Sequence, residues 1–158
     1  SGDPAAFAVV KAHFDTLFAL VSEHRGAVVK TIGDATMAAF PEPLDALRAA
    51  AAMQAKFGGD GRPTPIRIRV SLNTGPCIAV QFHQGIDYFG GTVNLAAKLQ
   101  SLAGSGDVVL SQRTYEAPGV RAMLLGEHAE LVDVSYESSA LGSPVPAKRW
   151  HTSPARTL

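Results

Sequence analysis

The chain is poor in several things that would point elsewhere. Only one of its 158 residues is a cysteine, Cys77, so no internal disulfide can form and a reducing compartment fits. Charged residues make up only 18%, and 14 Lys+Arg balance 14 Asp+Glu to a net charge of zero. A general binder of DNA or RNA needs a basic excess to meet the phosphates, so that class is set aside. A mononucleotide needs only a few local charges and stays open. No apolar run approaches the ~20 residues that a membrane span requires. Asp3, Lys11 and Asp15 interrupt the first twenty residues, where a secretory signal would be apolar. The histidines His13, His24, His83, His128 and His151 show no HxxxH or HExxH spacing, which leaves zinc without a ligand motif. Gly-x-Ser-x-Gly, the P-loop and the Rossmann glycine pattern are all missing. What remains is 46% hydrophobic, too apolar for disorder, and of a length suited to one domain. The expectation is a single soluble, cytoplasmic domain over residues 1–158, with no nucleic-acid or membrane contact.

Periodicity organises the chain. Phe7, Val10, Phe14, Leu17 and Val21 recur at spacings of three and four and predict a helix over 4–24, opened by Asp3-Pro4 and closed at Gly26. Two β-favouring runs, Ala27–Ile32 and Ala35–Phe40, flank Gly33-Asp34, which predicts a hairpin with a tight turn. Leu44–Phe57 is Ala-rich and helical. Ile66–Leu72 alternates apolar and polar, as a half-buried strand does. Cys77–Phe82 reads as the next strand, 83–91 as a loop, and Thr92–Leu102 as a helix. Short strands follow at Val108–Leu110, Leu131–Val134 and Val145–Trp150, with a weaker signal over Thr114–Leu124. The pattern predicts an α+β fold: helices on one face of a mostly antiparallel sheet. A βαββαβ arrangement would open with a strand, whereas this chain opens directly into a helix.

Some polar residues stand out against this frame. Asp34 sits on the tight turn, which would project its carboxylate off the strand ends; a hard cation such as Mg²⁺ favours one or two carboxylates plus substrate phosphates. Aspartate is also simply a good turn residue. Lys30 is mid-strand, expected on the face of Val28 and Ile32, and needs a partner or a route to solvent; edge strands also use lysine against aggregation. Gly90-Gly91 opens a helix on which Asn94 and Lys98, four apart, share one face. A glycine pair before a helix admits a ligand closely, and the helix N-terminus favours phosphate; an exposed polar stripe would look the same. Cys77 reads as a buried, apolar-like strand residue.

In combination, these segments resemble the class III nucleotidyl cyclase catalytic domain. The likeness is carried by Val28-Val29-Lys30-Thr31-Ile32-Gly33-Asp34-Ala35-Thr36-Met37-Ala38, by Val70-Ser71-Leu72-Asn73-Thr74-Gly75-Pro76, and by Asp87-Tyr88-Phe89-Gly90-Gly91-Thr92-Val93-Asn94-Leu95-Ala96-Ala97-Lys98. It runs from about Phe7 to Tyr115. The resemblance implies a ferredoxin-like cyclase fold and a head-to-tail homodimer with active sites at its interface. It implies cyclisation of ATP or GTP with release of pyrophosphate, assisted by two Mg²⁺ or Mn²⁺ ions held by two aspartates. By position, Asp34 matches the second metal-binding aspartate, Lys30 and Asp87 the pair that reads the purine, and Asn94 the asparagine that orients the ribose. A lysine donor and an aspartate acceptor suit the N1 and N6 edge of adenine, whereas guanylyl cyclases typically place Glu and Cys there. The resemblance therefore implies ATP as substrate and an adenylate cyclase.

The chain departs from the family pattern in three ways. The family's first metal aspartate lies on an opening strand, and no counterpart precedes the first helix. The family's transition-state arginine falls at Lys98, which keeps the charge without the planar fork. The late loop Ser135–Ser143 carries no basic residue where many members supply a lysine. These departures frame the alternative expectation, a catalytically degenerate cyclase-like domain that binds nucleotide or a partner in signalling.

Overall fold

A computed structural model describes residues 4–57, 67–82, 85–137 and 142–152. Helix α1 runs Pro4–Glu23. Its apolar stripe is buried only at the C-terminal end: Leu17 and Val21 are buried, while Phe7 is 70% and Val10 48% exposed. Strands β1 (Ala27–Ile32) and β2 (Ala35–Ala39) form the expected antiparallel hairpin around Gly33-Asp34. Gly33 takes a left-handed φ of 61°, the backbone state that such a turn demands. Helix α2 spans Pro43–Phe57 and buries Leu47, Ala49, Ala50 and Phe57 along one side.

The rest of the chain builds the core. Strand β3 is Val70–Leu72, β4 is Ile78–Phe82 and β5 is Gly85–Phe89. Helix α3 (Gly91–Leu99) continues as a 3₁₀ turn over Gln100–Leu102. Strand β6 (Asp107–Ser111) is followed by the short helices α4 (Gln112–Tyr115) and α5 (Val120–Gly126), then by β7 (Leu131–Tyr136) and β8 (Val145–His151). A four-stranded sheet is ordered β3-β6-β8-β7, with β3 parallel to β6 and the other pairs antiparallel. All five residues of β6 are buried. Alternation sends Val108 and Leu110 to a core with Leu47, Val120, Leu124 and Trp150, and Val109 to a second core with Leu99, Ala103 and Ala147. A strand covered on both faces reads as a continuous apolar run rather than an alternating one. Gln54 ties α2 to this sheet by donating to the carbonyls of Ile68 (3.1 Å) and Asp107 (3.0 Å).

Four expectations are corrected. Among the described residues the strands form three separately hydrogen-bonded sheets rather than one, β1–β2 and β4–β5 standing as two-stranded hairpins beside the four-stranded sheet. The stretch predicted as a loop contains β5, which pairs antiparallel with β4 from Ile78↔Phe89 to Phe82↔Gly85. Gly85 and Asp87 are poor strand formers, and cross-strand pairing overrides that propensity. Residues 83 and 84 lie outside the described residues. Cys77, expected as a buried strand residue, is exposed and stands just before β4, which begins at Ile78. Finally, β1 carries a bulge: Val28 pairs with Ala38, but Lys30 pairs with Met37. One extra residue, Val29, turns Lys30 onto the face of Ile32 and away from that of Val28.

Candidate active site

The bulge decides where Lys30 points. Its ammonium donates to Asp87 Oδ2 at 2.8 Å, joining β1 to β5 across 57 residues of sequence. Both side chains are partly exposed, Lys30 at 37% and Asp87 at 21%. The other carboxylate oxygen, Asp87 Oδ1, accepts the backbone N–H of Tyr88 at 2.8 Å, which fixes the orientation of the carboxylate. The hydrogen bond from Lys30, helped by that backbone N–H and the lysine charge, holds the Asp87 carboxyl below its ordinary value; partial desolvation opposes this. An ammonium and a carboxylate side by side form a donor–acceptor edge. Phe89, two residues along β5 from Asp87, places its ring 5.8 Å from Lys30 Nζ. Ile32, Ile86 and Phe89 on these two strands are exposed.

Asn94 and Lys98 stand on α3, both exposed on one face. The opposite face of the helix is pinned. Ser71 of β3 donates to Ala96 O at 2.6 Å, and Asn73 donates to Thr92 O at 3.0 Å. Thr92 in turn donates to Pro76 O at 2.7 Å. The helix is entered through Gly90 at φ 123°, a conformation that side-chain-bearing residues rarely adopt. Gly91 follows with open space where a Cβ would stand. These anchors are what lets a short helix present Asn94 and Lys98 in fixed positions. No hydrogen bond or ion pair links their side chains to the Lys30–Asp87 pair.

Asp34 is exposed at the tip of the β1–β2 turn. Its negative charge is felt by His13 on α1, whose imidazole lies 4.8 Å from the Phe57 ring. Desolvation lowers the His13 pKa, and Asp34 partly opposes that shift. Lys30 thus turns towards β5, while the field of Asp34 reaches α1. Among the described residues no group of three or more His, Cys, Asp or Glu side chains is disposed to hold a metal ion. Mg²⁺ takes one or two carboxylates alongside substrate phosphates, so Asp34 fits as one ligand. A two-ion site is not built by the described residues of one chain.

Sequence reasoning had no signal for the bulge at Val29 or for Phe89 beside Lys30. The i, i+2 spacing of Asp87 and Phe89 would have flagged the ring had 85–89 been read as a strand.

Comparison with known proteins supplies the family. The model of the adenylate and guanylate cyclase catalytic domain matches residues 4–128. The chain belongs to this cyclase catalytic-domain family. A putative adenylate cyclase 3 of Rhizobium meliloti is 33% identical over 106 residues, 65% of this chain. The match spans only 17% of that relative's own length. Among solved structures, an adenylate cyclase of Trypanosoma brucei in its monomeric state has a TM-score of 0.77 at 23% identity, covering 94% of this chain and 80% of that one. The non-canonical dimeric guanylyl cyclase domain of the RhoGC fusion protein from the aquatic fungus Blastocladiella emersonii has a TM-score of 0.71 at 19% identity, covering 95% of this chain and 85% of that one. At these identities the structural likeness concerns the α+β cyclase fold. Proteins named as adenylate and as guanylyl cyclases share that fold, so the fold does not assign a purine. No helix among the described residues is long and apolar enough to cross a membrane.

Proposed function

We propose that this cyclase domain is an adenylate cyclase that converts ATP to 3′,5′-cyclic AMP and pyrophosphate. The observation that carries the reading is the Lys30–Asp87 pair at 2.8 Å. Adenine offers an acceptor at N1 beside an amino donor at N6. Lys30 has three N–H donors, so it can serve both Asp87 and N1, and the carboxylate has lone pairs left for the amino group. Guanine presents the reverse polarity and would leave both groups mismatched, which polar sites reject strongly.

In the reaction the ribose 3′-oxygen bonds to the α-phosphorus as the bond from that phosphorus to the β-bridging oxygen breaks. The hydroxyl proton is released and pyrophosphate departs. Asn94 orients the ribose, and Lys98 places positive charge against the phosphates as negative charge shifts to the leaving group. Asp34 is a carboxylate ligand for Mg²⁺ or Mn²⁺; when bound, such ions supply electrophilic stabilisation of the phosphate oxygens. In one chain, Asp34 and the purine pair face different elements. A homodimer that joins the Asp34 turn of one copy to the Lys30–Asp87 corner of another resolves this. The exposed Ile32 and Ile86 on β1 and β5 suit such an interface.

The test uses the natural full-length chain with ATP and Mg²⁺ or Mn²⁺. Cyclic AMP and pyrophosphate are expected in equal amounts. A second reading, a degenerate domain that binds nucleotide without turning it over, is favoured by lysine at position 98. Folded protein that binds ATP and forms no cyclic AMP would establish that reading and exclude the first.

A further inference from the structure

We propose that Phe89 is a positioning residue for purine selection, its ring steering the Lys30 ammonium into place beside Asp87. The inference rests on the adenine reading above and deepens it. Alternation along β5 puts Asp87 and Phe89 on one face, two residues apart. The β1 bulge turns Lys30 towards that face. The ammonium then meets two groups at once: the carboxylate at 2.8 Å and the aromatic ring with its centroid 5.8 Å away. Asp87 is already held by the Tyr88 N–H, whereas Lys30 ends a flexible four-carbon stem and is the mobile member of the pair. A cation within about 6 Å of a ring centroid is attracted by the ring quadrupole, so the ring narrows the positions open to Nζ. Phe89 itself is 42% exposed, so a core-packing role does not account for it.

The consequence is selective. Lys30 has a hydrogen bond to offer adenine N1 and none to offer the protonated N1 of guanine. Loosening Lys30 therefore weakens ATP and leaves GTP alone. Phe89→Leu keeps an apolar side chain of similar size and removes the quadrupole; Phe89→Tyr keeps it. In the natural full-length chain, Phe89→Leu is expected to raise the KM for ATP about two- to fivefold, the factor that an exposed cation–π contact supports. The kcat and the KM for GTP should hold, so the ATP-to-GTP selectivity falls by that same factor. Phe89→Tyr should restore the wild-type values, and in a Lys30→Met background Phe89→Leu should add nothing. Equilibrium binding of ATP and of GTP gives the same ratio without turnover. Equal weakening of both nucleotides, a loss confined to kcat, or a persisting effect in the Lys30→Met background would overturn the proposal. Wild-type protein that does not prefer ATP would instead overturn the adenine reading and this inference with it. An ATP-to-GTP selectivity in Phe89→Leu equal to that of the wild type removes this inference alone.

Discussion

The β6-centred sheet and the hairpin corner of β1 and β5 are built on opposite terms. In the sheet, Val108, Val109 and Leu110 have no exposure at all, and the strand is covered on both faces. In the corner, Ile32 is 62% exposed and the polar pair Lys30–Asp87 stands half in solvent. The sheet holds the molecule together and carries no candidate chemistry. The corner contributes little burial and carries the donor–acceptor edge, the turn carboxylate and a bulge. Helix α3 joins the two: Ser71 and Asn73 of the sheet side grip its carbonyls, while Asn94 and Lys98 face outward. Stability and function are therefore separable by mutation, with different readouts in the two regions.

The largest effect is expected in the sheet. Leu110→Ala removes a fully buried side chain and should cost about 2–5 kcal/mol of stability, measured by denaturant unfolding, and activity should fall only as the folded fraction does. Lys98→Ala acts on the outward face of α3, between the two regions. Loss of a positioned charge against the phosphates should lower kcat on the order of 10²–10³ with an unchanged melting temperature, and Lys98→Arg should raise activity above wild type. Ile32→Ser sharpens the contrast. Its effect on unfolding should stay within about 0.5 kcal/mol, as for surface positions, while sedimentation should show a weaker dimer and activity should fall with it.

The smallest effect is a pH dependence at His13 on α1. The folded state holds the His13 pKa below 6.5, so the unfolded state binds more protons as pH falls through that value. The contribution of His13 to stability is complete above 6.5 and is lost as pH falls towards the folded pKa. His13→Phe should flatten the difference in melting temperature between pH 8 and pH 5.5, and Asp34→Asn, which removes the opposing charge, should steepen it. The Asp87 pair works lower: its contribution is present above the ordinary carboxylate pKa and fades as pH drops through the depressed value.

Much of the fold is legible in the sequence where local signals agree. The Gly33-Asp34 turn, the strand at Ala27–Ile32 and the helix beginning at Pro4 follow from turn chemistry and periodicity. The strand at Gly85–Phe89 is not legible, because glycine and aspartate argue against it and only pairing with β4 makes it. The bulge is silent for the opposite reason: Val28, Val29 and Lys30 all suit a strand, and nothing local says which one is left unpaired. Of the candidate site, Asp34 on its turn and the shared face of Asn94 and Lys98 can be read from spacing. Lys30 meeting Asp87 depends on two hairpins packing side by side across 57 residues, a contact that no local pattern encodes. The resemblance to cyclases supplied that pairing, and it supplied nothing about Phe89.

The most direct measurement is a competition between equimolar ATP and GTP, run with the natural full-length chain and with the double variant Lys30→Glu, Asp87→Cys. The wild type should form cyclic AMP in large excess over cyclic GMP, and the double variant should invert or sharply reduce that ratio while remaining folded. An unchanged ratio in a folded double variant would contradict the account, because it would mean that the Lys30–Asp87 edge does not read the purine.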